Sequence, residues 1–141
     1  MTRGTLPIAA FALAVALAPA PQDPPAAPKP REAAPRSPAE LRVEAGRKAF
    51  DLAWLYYSEN RIDSEKVYRW SRRLFEAENE ASGDQPGRVA AAEAHLARIQ
   101  RLEAKISRIR RIGFGDSLDV LEVDYYRKEA DIWLERAGAP K

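Results

Sequence analysis

The sequence predicts an all-α fold, either an antiparallel four-helix bundle or two long repeated helical hairpins. Three observations carry this. Beyond Pro38, apolar residues recur at spacings of three and four, the period of a helix with one buried face. Each such run follows a serine or aspartate suited to capping, at Ser37, Asp63, Asp84 and Asp116. Two look-alike segments, Asn60–Tyr68 and Gly113–Leu121, each open a helix carrying an Ala-acid pair in step, Ala77-Glu78 and Ala130-Asp131. A repeat of that kind points to two related hairpins, 39–81 and 86–137.

The first helix opens at Ser37-Pro38-Ala39-Glu40, a capping box with proline at the first helical position. Leu41, Ala45, Ala49, Leu52 and Tyr56 form its expected inward stripe, and Asn60 suits a left-handed exit. Asp63 then caps a second helix striped by Val67, Trp70, Leu74 and Ala77. Ser82–Gly87 interrupts the chain, with Asp84 as the next cap. The third helix runs from about Pro86 to Arg111, with Val89, Ala92, Leu96, Ile99, Leu102, Ile106 and Ile109 on one face. Gly113-Phe114-Gly115 ends it, and Asp116 starts a fourth helix striped by Val120, Val123, Tyr126, Ala130, Trp133 and Ala137. Short connections make successive helices antiparallel, so the turns at 60–63 and 113–116 fall at one end. Val67 then corresponds to Val120, each expected just inside a capped turn, and Trp70 corresponds to Val123.

Residues 1–18 read as a signal peptide, with Arg3 ahead of the uncharged apolar run Leu6–Ala18 and small residues at cleavage spacing. That run is shorter than the roughly 20 residues needed to cross a bilayer. The expected location is therefore exported, periplasmic or extracellular, with no transmembrane span after signal removal. Residues 19–38 form a Pro/Ala-rich linker of polyproline character. The remaining segment, 39–141, suffices for one modest helical core.

With no cysteine, the chain has neither a disulfide framework nor a thiolate metal site. From Ala39 onward Lys and Arg equal Asp and Glu in number, so the net charge of +2 comes from the N-terminal segment. A neutral domain exerts no net pull on nucleic acid, and no nucleic-acid partner is expected. Peripheral envelope association stays open.

At Gly113, Asp116, Asp119, Val120, Leu121, Tyr125, Ala130 and Leu134, the chain resembles the helical-hairpin repeat of TolC-type outer-membrane efflux proteins. Asn60, Asp63, Val67, Tyr68, Ala77 and Glu78 carry a weaker version. The chain is also similar to secreted helical proteins of planctomycete type. The efflux resemblance implies long periplasmic-type hairpins and an envelope location. Membrane strands separate the hairpins in that family, and here a short turn, Ser82–Gly87, occupies their place. Transport and aperture residues are therefore not carried over.

Residues for chemistry are sparse. His95 is the single histidine, expected at a boundary or on the surface beside Leu96. It leaves no zinc cluster to build. Asp63, Asp84 and Asp116 are occupied as caps, and Gly113-Phe114-Gly115 lacks the lysine and hydroxyl of a phosphate loop. No catalytic, cofactor or metal site is expected. The cations at Arg108, Arg110 and Arg111 match the negative end of a helix dipole. Aromatics flanking the stripes are better suited to contact. The candidate interaction residues are Trp54, Tyr57, Tyr68 and Tyr125, with the turn caps Asp63 and Asp116. The expected function is a non-catalytic structural or protein-interaction module of the cell envelope or exported space, acting with a protein partner or as a homo-oligomer. The alternative is a small adaptor or accessory subunit of an envelope efflux or transport assembly.

Overall fold

Capping decides where each helix begins. A computed structural model describes residues 36–139; the expected signal and the linker as far as residue 35 lie outside the described residues. Four helices follow in order, α1 (Pro38–Ser58), α2 (Ser64–Ala81), α3 (Gln85–Arg111) and α4 (Ser117–Gly138), and there is no strand among the described residues. Ser37 and Glu40 close the capping box of α1, the hydroxyl accepting from the Glu40 amide at 3.2 Å. The Glu40 carboxylate accepts from the Ser37 amide at 2.7 Å. Asp63 accepts from the Lys66 amide at 3.0 Å, Asp84 from Gly87 at 2.9 Å and Asp116 from Leu118 at 3.1 Å. Every one of these carboxylates replaces a backbone partner that the first turn of a helix lacks. Asp63→Ala and Asp116→Ala should each cost about 0.5–2 kcal/mol in urea unfolding, and no loss in either variant would reject the cap assignment.

The connections have the backbone they need. Asn60 adopts φ 57° and Gly113 and Gly115 adopt φ 84° and 91°, the left-handed region in which glycine and asparagine are least strained. Both turns therefore reverse the chain within a few residues, and the α1–α2 and α3–α4 hairpins lie antiparallel.

The α1 stripe corrects the expectation. Leu41 and Leu52 are 52% and 47% exposed and Ala45 is exposed as well. The buried face is instead Gly46, Phe50 and Ala53, with Val43, Trp54 and Tyr57 packed beside it. Gly46 faces Leu74 of α2, where an added Cβ would stand 3.4 Å from Cδ1 and 3.5 Å from Cα, an ordinary contact distance. Apolar spacing alone picks the leucine face; the helix instead turns Gly46, Phe50 and Ala53 inward.

The core joins both hairpins. Phe50, Val67, Leu74, Leu102, Ile106 and Val123 form one buried cluster, so all four helices contribute to it. Ile99, Tyr126 and Ala130 form a second, with Tyr68 and Leu96 against it. The expected closed bundle is modified in one respect. No Cα of α1 comes within 8 Å of a Cα in α3 or α4, whereas α2 meets α1, α3 and α4 at that distance. α2 and α3 therefore pack at the middle of the bundle, with α1 against α2 on one side and α4 against α3 on the other. Only side chains link α1 to α3.

The proposed repeat pairs agree at some positions and not at others. Ala77 and Ala130 are both in the core, at 1% and 0% exposure. Val67 is 1% exposed but Val120 is 37%, so the expected equivalence of these valines fails. The α2 turn is roofed by α1, which packs on α2, and α4 has no Cα within 8 Å of α1 to provide the same cover.

Candidate functional site

Antiparallel helices bring the two positive-φ turns to one end of the bundle. Between them lies a groove of about 610 Å³ lined by Tyr57, Asn60, Asp63, Ile109, Phe114 and Asp119, among others. A second groove of about 680 Å³ runs between α1 and α3, with Trp54, Ile109 and Ile112 beside Lys105, Arg108 and Arg111. Ile109 and Ile112 border both, which makes the turn end one continuous surface. Ile112 and Phe114 are 67% and 69% exposed there. Leu118, Leu121 and Tyr125 extend the exposed apolar surface along α4. Left-handed glycines force Phe114 outward from the turn rather than back onto a helix stripe.

Charge divides this end. On the α1–α3 edge, the Arg101 guanidinium lies 3.9 Å from the Trp54 ring centre, and the Lys105 ammonium lies 5.5 Å from that of Tyr57. Among the described residues, none of Arg101, Lys105, Arg108, Arg110 and Arg111 has a carboxylate within salt-bridge distance. Ion pairs engage Lys66 with Asp63 and Arg69 with Glu65 on the α2 side of this end, and Arg47, Arg72, Arg98, Arg127 and Lys128 elsewhere. On the α2–α4 edge, partial burial raises the Glu122 carboxyl, reinforced by Asp119, Glu65, Asp63 and Asp116. Burial likewise raises the Tyr57 hydroxyl, with Asp119 adding to it. The separation follows from chain direction. At this end α3 presents its C-terminus with Arg108, Arg110 and Arg111 in the last turn, and α2 and α4 present N-termini with Glu65 and Asp119 in the first, while the last turn of α1 carries no cation.

The expected interaction residues divide accordingly. Tyr57 and Asp63 share the groove between the turns, and Trp54 lines the neighbouring one. The Asp63 and Asp116 carboxylates are engaged as caps. Tyr125 is 63% exposed and edges onto Tyr126. Tyr68 belongs to the α2–α4 seam. Its ring stacks on Tyr126 at 3.8 Å and 5°, and its hydroxyl donates to Glu129. Burial and that carboxylate together raise the Tyr68 hydroxyl, and Tyr126 is pushed up to about 12, chiefly by burial.

His95 reverses its expectation, because it is fully buried. The stripe Ala92, His95, Ile99, Leu102, Ile106 advances by three, four, three and four, so the spacing contained the signal. Ser71 Oγ lies 2.9 Å from His95 Nδ1 and accepts from Arg98 Nε at 3.1 Å. Arg98 also donates to Glu78 at 3.0 Å. The Ser71 hydroxyl thus engages Nδ1, and Nε2 is the other ring nitrogen. That nitrogen is buried without a hydrogen-bond partner, beside the rings of Phe75 and Trp133. Burial, with the Arg98 charge second, holds the imidazole down at about 4. Ser71 and His95 are both 0% exposed, so the hydroxyl offers no approach to a substrate carbonyl. The network ties α2 to α3. No group of three or more His, Cys, Asp or Glu side chains is placed to hold a metal among the described residues, and no described helix is long and apolar enough to cross a membrane.

No known protein family, curated protein or solved structure matches the chain.

Proposed function

We propose that the chain is a non-catalytic protein-interaction module of the cell envelope or exported space, and that it docks through the turn end of its bundle. The observation that supports this most is the run of exposed apolar side chains Ile112, Phe114, Leu118, Leu121 and Tyr125 beside two open grooves. Leaving such side chains in water forgoes burial, at roughly 25 cal/mol for each Å² of apolar surface, and contiguous apolar patches commonly mark contact sites. The export signal expected over residues 1–18 supplies the compartment.

A photo-crosslinking residue placed at Phe114 of the full chain tests the site. Irradiation should give a discrete crosslinked species, and the same probe at exposed Gln100 on α3 should not. Equal yields at both positions, or none at Phe114, would remove the turn end as the docking surface.

A further inference from the structure

We propose that the partner at the turn end is a second copy of this chain, docked end to end about a twofold axis. The inference rests on the reading of that end as a docking surface and adds the occupant and the symmetry.

Charge complementarity carries the argument. The cations Lys105, Arg108 and Arg111 line the α1–α3 groove without ion-pair partners, and Arg101 extends the same side. The acids Asp63, Glu65, Asp116 and Asp119 surround Glu122 on the α2–α4 side, and burial plus their combined charge raises its carboxyl. Lys66 and Arg69 pair with Asp63 and Glu65, while Asp116, Asp119 and Glu122 have no ion-pair partner among the described residues, so acid is in excess on this side. These are opposite edges, because α1 reaches α3 through Trp54 and Arg101 while α4 packs on α2 and α3 and has no Cα within 8 Å of α1. Consider a twofold axis perpendicular both to the bundle and to the line joining the two edges. It inverts the bundle and exchanges the edges, so the basic edge of each copy meets the acidic edge of the other. The same operation brings Ile112, Phe114 and Leu118 of both copies together at the centre, where contact removes them from water.

A closed twofold contact uses one patch twice, and only a self-complementary patch satisfies it. This end meets that condition because the helix directions sort its charges. A uniformly basic or acidic end would repel its own copy.

Sedimentation of the full chain across a concentration series is the test. The wild-type chain should pass from the mass of one copy to that of two. Raising salt from about 0.1 M to about 1 M should shift it back toward one copy, because the screening length falls from about 10 Å to about 3 Å. Arg108→Glu with Arg111→Glu places acid against acid at both contacts, and Glu65→Lys with Glu122→Lys places base against base. Each double variant should associate about 100-fold more weakly or worse. Mixed in equal amounts, the two should recover the two-copy mass, since both contacts again join opposite charges. Circular dichroism of each variant establishes that its helices are intact.

A wild-type chain that stays at one copy overturns the proposal, as does a mixture of folded variants that fails to recover. The Phe114 crosslinker separates that failure from loss of the docking surface. A one-copy chain that still crosslinks to a different protein at Phe114 removes the second copy and keeps the surface. A one-copy chain with no crosslink removes both.

Discussion

Lowering the pH from about 7 to about 4 is expected to remove roughly 3 kcal/mol of folding stability through His95 alone. The free imidazole titrates near 6.5, and in the folded chain it is held at about 4. Between those values the unfolded chain takes a proton that the folded chain refuses. The contribution is therefore fully present above about 6.5 and is lost as pH falls toward about 4. Groups from three helices enforce this. Tyr68, Ser71, Arg72 and Phe75 face the ring from α2, Arg98 lies one turn along α3, and Trp133 packs tilted against it from α4. Burial removes water from the charged form, and the nearest charges, Arg98 and Arg72, are positive.

His95→Phe isolates the effect. It keeps an aromatic ring beside the stacked pair Phe75 and Trp133 and removes both the buried orphan nitrogen and the titration. Ser71 retains Arg98 as a donor. Urea unfolding of both chains at pH 7 and pH 4.5 should show a smaller acid loss in the variant, with carboxylate titration cancelling in the comparison. An NMR titration placing the native His95 near 6.5 would defeat the prediction.

The helices and their starts were legible in the sequence because capping is local. Ser37, Asp63, Asp84 and Asp116 each reach amides two or three residues away, so one short stretch contains the whole interaction. The left-handed exits at Asn60 and Gly113 were legible for the same reason. Helix rotation was not, since it depends on what a helix meets. Gly46 has no side chain to register as apolar, and the Leu74 it faces belongs to another helix. His95 was missed because Leu96 competed for the same stripe, and its partners Ser71, Phe75 and Trp133 are remote in sequence. The turn-end site was legible in part. Tyr57 and Asp63 lie on hairpin elements whose shared end follows from topology. Phe114 emerges only once the turn geometry is known.

Phe50→Ala is expected to cost about 3–5 kcal/mol, the largest single-residue effect argued for this fold. Phe50 is 5% exposed and clusters with Val67, Leu74, Leu102, Ile106 and Val123. Its removal opens a cavity where all four helices meet. It also acts on the helix with the fewest backbone neighbours, since α1 approaches within 8 Å only at α2. The Phe50 ring further lies 6.5 Å from Trp54 and 5.7 Å from the Arg98 guanidinium, so truncation loosens the side-chain bridge to α3 as well. Leu52→Ala is the matched control on the same helix. Leu52 is 47% exposed, and its truncation should stay within about 0.5 kcal/mol. The pair decides which face of α1 is inward. Equilibrium urea unfolding should rank Phe50→Ala as far more damaging, with the slope checked to keep the comparison two-state. A larger loss for Leu52→Ala would restore the leucine stripe as the buried face and displace Gly46 from the α1–α2 contact.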